Sequence, residues 1–211
     1  MTIQGIIFDF GQVLTAPADL KTVTEHRTEM AGILGLKPAE LWPYLFEGET
    51  AMRLMTDEID WDTFWVEILK PKGIIDPDEV RAFADEVFKG SEIINPEMSD
   101  LLEELHGRYQ LAVLSNANWS EDQLAAEIAE RGGDPALFDA IITSAEAGFA
   151  KPDPAIYRLA LARLNLTAEQ CIFTDDLEDF TEAAAALGFH TFTFTNPAEF
   201  RQYLKDKGVL D

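Results

Sequence analysis

The stretch Gly5-Ile6-Ile7-Phe8-Asp9-Phe10-Gly11 constrains the fold more than any other part of the chain. Ile6, Ile7, Phe8 and Phe10 form an almost unbroken apolar run, the pattern of a strand buried on both faces of a parallel sheet rather than one with a solvated side. Asp9 interrupts that run. A carboxylate placed in such a strand is costly to desolvate unless something compensates it, and Gly11 then ends the strand in a flexible turn. The residue pattern marks Asp9 as part of a site. An aspartate that caps the next helix is the alternative on this stretch alone.

Beyond residue 90, apolar strands alternate with helices. Asn95-Pro96 predicts an N-cap with proline at the first helical position, opening a helix that runs to about Gly107. Leu111 to Leu114 is a short apolar strand ending at Ser115-Asn116. Ser120 caps a helix that stops at Gly132-Gly133, and Ala140-Ile141-Ile142 makes the next strand. Asp153-Pro154 opens a helix with Ile156, Leu159, Ala160 and Leu164 on one side. Ile172-Phe173 leads into Asp175-Asp176, and a helix covers the region from Thr181 to Ala186. The alternation of Thr and Phe from His190 to Thr195 predicts an edge strand with one covered face, and Asn196-Pro197 caps the last helix. Strands alternating with helices imply right-handed crossovers and an α/β, doubly wound parallel sheet, whose ligands bind at the carboxyl ends of the strands. Asp9, Ser115 and Asp175-Asp176 all stand at that end, and Lys151 follows the third strand by a loop. Four polar points therefore converge.

Residues 16–90 have a different character. Their pattern is helical, with Trp42, Tyr44, Phe46, Trp61, Phe64 and Trp65 gathered in it and no strand-like run. Breaks at Gly35 to Pro38, Phe46 to Gly48, Thr56 to Glu58 and Pro71 to Gly73 divide it into several short helices. Residues 16–90 are thus expected to be an inserted helical subdomain whose aromatic residues form its own small core, with residues 1–15 and 91–211 forming the α/β core.

Charge and motif content exclude several functions. Lys and Arg number 16 against 39 Asp and Glu, a net charge of −23, which repels nucleic acid and anionic membranes at long range. An anionic substrate must then be held by local cations, a metal ion or backbone N–H groups. The single cysteine, Cys171, excludes an internal disulfide framework and a zinc site of several cysteines. His26, His106 and His190 show no metal-binding spacing. Asp9-Phe10-Gly11 also spells the magnesium motif of protein kinases, but no glycine-rich or catalytic-loop motif precedes it. No GxGxxG or P-loop indicates a nucleotide cofactor. No signal-peptide pattern or membrane-span run is present, so a soluble, cytoplasmic protein is expected.

An acidic cluster fit for a divalent cation, a nucleophile-capable carboxylate, a hydroxyl and one lysine suit phosphoryl transfer. Here the chain resembles the haloacid dehalogenase (HAD) superfamily, subfamily I with a helical cap, over essentially all 211 residues. Phe8-Asp9-Phe10-Gly11-Gln12-Val13-Leu14 looks like its first motif, Leu114-Ser115-Asn116 the second, Lys151-Pro152 the third, and Phe173-Thr174-Asp175-Asp176 with Asp179 the fourth. The resemblance implies a Rossmann-like sheet of strand order 5-4-1-2-3 and an aspartyl-phosphate formed on Asp9. It implies Mg²⁺ held by Asp9, the Gly11 carbonyl, Asp175 and Asp176. Ser115 and the adjoining backbone N–H of Asn116 would hold the phosphoryl group, Lys151 would neutralise it and Asp9, and Asp179 would orient Lys151 or a metal-bound water. Arg53 is the candidate substrate contact from the cap.

In this superfamily, phosphatases usually carry a second Asp two residues after the nucleophile, and here that place is Gly11. A related Asp-x-Gly group, including sugar-phosphate phosphatases that resemble this chain at Gly48-Glu49 and Glu58-Ile59, works without it. The expected function is therefore a Mg²⁺-dependent phosphatase of a small phosphorylated metabolite, possibly a sugar phosphate, acting as monomer or homodimer. A 2-haloacid dehalogenase-like hydrolase using the same aspartate, and a weakly catalytic binding protein of the same fold, are the alternatives.

Overall fold

The computed structural model describes residues 2–17, 20–87 and 92–211. Its strands are β1 (Gly5–Phe8), β2 (Thr15–Pro17), β3 (Glu92–Ile94), β4 (Gln110–Ser115), β5 (Ala140–Thr143), β6 (Cys171–Asp175) and β7 (His190–Thr193). The main sheet has the order β5-β4-β1-β6-β7, and every neighbouring pair is parallel. Numbered among themselves and read from the β7 edge, these five strands have the expected order 5-4-1-2-3.

The continuous apolar run of β1 is explained by its central place. Ile6 and Phe8 enter the core on one face of the sheet and Ile7 enters the core on the other, all of them fully buried. Each such side chain contributes about 1.5–3 kcal/mol. Helices Pro96–Leu105, Glu121–Glu130 and Pro197–Asp206 cover the first face with Met98, Leu101, Leu124, Ile128, Phe200 and Leu204. Helices Pro154–Leu164 and Glu178–Ala186 cover the second through Ile156, Tyr157, Ala160 and Ala184. Side-chain caps start four of these helices where the sequence places them: Asn95 accepts from the Glu97 N–H, Ser120 from Gln123, Asp153 from Ala155 and Asn196 from Glu199.

Two details differ from the sequence reading. Strand β7 ends at Thr193 rather than Thr195, because the Phe194 N–H donates to the Asp175 carbonyl and the chain then turns into the Asn196 cap. A second, two-stranded sheet pairs β2 with β3, so residues 16–17 are extended where only helices were expected. Three-residue strands are too short to show a period.

The chain divides into two compact units, Met1–Ala16 with Ile93–Asp211, and Pro17–Glu92. The return point expected at residues 90–91 lies outside the described residues. The second unit contains the helices Leu20–Ile33, Pro38–Phe46, Glu49–Met55, Trp61–Leu69 and Pro77–Val87. Its breaks have local causes. Gly48, at φ +132°, precedes one helix, and Gly73, at φ +83°, ends the short 3₁₀ turn after another. Phe64 and Trp65 are buried at its centre, Phe64 stacked on Phe46 and Trp65 against Trp61 and Phe83. The aromatic cluster is the core of this unit. Among the described residues, no helix is long and apolar enough to cross a membrane.

Candidate active site

Asp9 follows β1 directly, and its N–H donates to the Thr174 carbonyl of β6 at 2.9 Å, which fixes its backbone to the central sheet. Its side chain is only 11% exposed. Lys151, in the loop beyond β5, is 1% exposed, and its Nζ donates to Asp9 Oδ1 and to Asp175 Oδ2, each at 2.6 Å. The ammonium also lies 5.8 Å from the Phe173 ring and 5.2 Å from the Phe180 ring. Burial alone would drive such a lysine to lose its charge. The carboxylates of Asp175 and Asp9 outweigh that cost and hold it above the usual lysine range.

Asp175 ends β6, and its second oxygen accepts the Leu177 N–H at 3.0 Å. Asp176, half-buried, accepts from the Gln12 amide at 3.1 Å. Carboxylate oxygens of Asp9, Asp175 and Asp176 all lie within 4.8 Å of one another. Such crowding bears on the Asp9 carboxyl. Burial pushes its carboxyl up to about 7; Lys151 pulls it down, while Asp175 and Asp176 push it up. Ser115, the last residue of β4 and paired in register with Thr143, is 5% exposed, and its hydroxyl has no hydrogen bond among the described residues.

The remaining expected residues have the following surroundings. Asn116, whose backbone N–H was expected at the phosphoryl group, has both side-chain polar atoms engaged by protein: Nδ2 donates to the Lys151 carbonyl at 2.9 Å, and Oδ1 accepts the Lys151 N–H at 2.8 Å. Asn116 thus clamps the backbone of the buried lysine. Asp179 is exposed in the first turn of the helix Glu178–Ala186, and the Lys151 ammonium is bonded by Asp9 and Asp175. Asp176, Leu177 and Glu178 separate Asp179 from the end of β6. Arg53 pairs with Glu67 of its own helical unit at 2.6 Å. The Gly11 carbonyl accepts the Val13 N–H at 2.7 Å, leaving it one further lone pair.

Two contributors were not read from the sequence. Gln12 sits at φ +59°, a left-handed conformation that turns the chain after Gly11, with its side chain on Asp176. Tyr157, fully buried, donates its hydroxyl to the Phe180 carbonyl at 2.9 Å and so holds the segment whose ring faces Lys151. A positive φ leaves no mark in a Gln-containing sequence, and a tyrosine in an apolar helix stripe reads as core.

A doubly wound sheet with an aspartate after its central strand, a buried lysine across from it and an acidic pair on the neighbouring strand defines a hydrolase class. Residues 3–188 match the haloacid dehalogenase-like hydrolases, and the chain belongs to that family. It is 32% identical over 101 residues to a phosphoglycolate phosphatase of Aliivibrio fischeri, across 47% of this chain and 43% of that protein. A HAD family enzyme of Bacteroides thetaiotaomicron, solved in complex with magnesium and inorganic phosphate, superimposes with a TM-score of 0.63 at 20% identity, covering 92% of this chain and 94% of that one. An L-2-haloacid dehalogenase does so with a TM-score of 0.64 at 18% identity, covering 97% and 100%. These structural likenesses speak to fold. The chain spans less than half the length of the curated relatives it matches.

Proposed function

We propose that this hydrolase is a Mg²⁺-dependent phosphomonoesterase of a small phosphorylated metabolite, working through phosphoryl transfer to Asp9. One observation carries the reading. Asp9, Asp175 and Asp176 offer carboxylate oxygens within 4.8 Å of one another, and Asp175 and Asp176 both push the Asp9 carboxyl up, the crowding that a cation between them would relieve. An all-oxygen, partly buried set of this kind suits a hard divalent cation. Asp9, Asp176 and the Gly11 carbonyl would hold it, with Asp175 contributing directly or through water. When bound, the ion supplies positive charge for the phosphoryl oxygens.

The residues then divide the work. Lys151 occupies Asp9 Oδ1, which leaves Oδ2 as the attacking oxygen. Oδ2 forms a bond to phosphorus as the bond to the leaving oxygen breaks, and that oxygen keeps the electron pair. Ser115 donates to a phosphoryl oxygen and Lys151 neutralises the charge that accumulates. Water then attacks the phosphorus, the Asp9–phosphate bond breaks, and inorganic phosphate leaves with the Asp9 carboxylate restored.

A 2-haloacid dehalogenase would use the same nucleophile without a cation, but Asp175 and Asp176, which both push the Asp9 carboxyl up, would then work against its ionised, nucleophilic form. The phosphoglycolate phosphatase relative and the magnesium and phosphate complex of the Bacteroides enzyme support the phosphatase reading. Screening a panel of phosphorylated metabolites in Mg²⁺ and in EDTA tests it. Phosphate release that EDTA abolishes is expected; halide release from 2-haloacids that survives EDTA overturns it.

A further inference from the structure

Gln12 is exposed, yet its backbone is tightly constrained. The Val13 N–H donates to the Gly11 carbonyl at 2.7 Å, which closes a three-residue turn centred on Gln12, and the φ of Gln12 is +59°. That sign marks the rarer, strained form of such a turn. Contacts from within the chain pin it. The Gln12 N–H donates to the hydroxyl of buried Thr15 at 3.1 Å, and the N–H groups of Leu14 and Thr15 both donate to the Phe10 carbonyl, at 3.0 and 3.2 Å. A glycine would adopt the same φ at no steric cost. What glutamine adds is its amide, and Nε2 donates to Asp176 Oδ2 at 3.1 Å.

Main chain and side chain of Gln12 therefore meet two of the groups that would hold a cation. The main chain sets the direction of the Gly11 carbonyl, because swinging the peptide between Gly11 and Gln12 would break the bond from Val13. The side chain restrains the half-buried Asp176 carboxylate. Asp9 and Asp175 are bonded by the Lys151 ammonium, and Asp175 also by the Leu177 N–H. The amide of Gln12 is a neutral donor, so it orients Asp176 and leaves the negative charge in place for a cation. An ammonium at that position would offset the charge. Strained backbone persists where its surroundings over-determine it, and such residues gather at functional sites.

We propose that Gln12 is a positioning residue for the divalent cation, aiming the Gly11 carbonyl through its turn and Asp176 through its amide. The inference rests on the Mg²⁺ reading above. Gln12 acts on the affinity for the ion and not on the chemical step. Partners that orient a metal ligand in this way change metal affinity about 10–100-fold.

Two substitutions separate the contributions. Gln12→Gly keeps the turn, relieves its φ and removes the amide; Gln12→Val removes the amide and puts a β-branched residue at a φ that it resists. Calorimetric titration of the metal-free proteins with magnesium chloride should give a Kd about 10–100-fold higher for Gln12→Gly than for the wild type, and higher again for Gln12→Val. In EDTA, Gln12→Gly should melt close to the wild type, because relief of the strained φ offsets the lost hydrogen bond. Its kcat should return to the wild-type value at saturating Mg²⁺, with the half-saturating concentration raised by the same factor as Kd. A Kd unchanged in Gln12→Gly while the wild type binds Mg²⁺ overturns this inference alone. A raised Kd together with a large fall in the EDTA melting temperature also overturns it, as the mark of a merely structural residue. Wild-type protein that takes up no Mg²⁺ overturns the cation reading, and this inference with it. Gln12→Gly decides the matter even if Gln12→Val fails to fold.

Discussion

Asn116 spends both polar atoms of its amide on the backbone of Lys151, and Lys151 spends its ammonium on Asp9 and Asp175. This chain of contacts carries a constraint from the end of β4 to the nucleophile. Asn116→Ala removes two hydrogen bonds, each worth about 0.5–1.5 kcal/mol. A fall in thermal stability is expected, together with a loss in kcat that exceeds any change in KM, because the lysine still exists but is less firmly placed. An unchanged kcat would remove Asn116 from the positioning role. The pH dependence follows from Asp9. Its folded carboxyl titrates near 7 against an ordinary 3.8, so between those values the folded protein binds more protons than the unfolded one. Metal-free protein should therefore lose stability as pH rises from about 4 to about 7, and Asp9→Asn should remove much of that loss. Melting curves across this range check it; a stability that rises through the window would contradict the raised carboxyl. Asp9, Ser115, Lys151 and the Asp175-Asp176 pair were legible as positions because carboxylates in apolar strands have few structural explanations. The Asn116 clamp was not legible, since its partner is a backbone segment 35 residues further on. Asp179 and Arg53 were read by charge, and charge does not reveal that one faces solvent and the other pairs with Glu67.

At the level of elements, caps and strand ends set where the side chains emerge. Ser120 begins the helix that follows the β4 loop, with its hydroxyl accepting from the Gln123 N–H and the Gln123 side chain accepting the Ser120 N–H. Ser120→Ala should cost about 0.5–2 kcal/mol, read by denaturant unfolding, with little effect on turnover. A larger loss of activity than of stability would mean that the cap also fixes the Ser115-Asn116 loop. Strands and helices of the α/β unit were legible because their apolar periods are long and their N-caps are explicit residues. The β2–β3 pair escaped because three residues carry no period, and the end of β7 was overrun because Phe194 keeps packing on Phe200 after it leaves the sheet.

Across the whole molecule, a charge of −23 surrounds a site that is itself acidic. An anionic substrate gains nothing from the global field, so the proposed activity requires local retention, by one buried lysine, a hydroxyl and the proposed cation. The central claim is that Asp9 takes the phosphoryl group with the help of that cation. Acid-quenching the protein during turnover of an acyl or aryl phosphate and mapping the phosphorylated peptide by mass spectrometry tests it most directly. Phosphate on Asp9 in Mg²⁺, absent in EDTA and absent in Asp9→Asn, is the predicted result; steady phosphate release with Asp9 never modified, or release undiminished in EDTA, would contradict it.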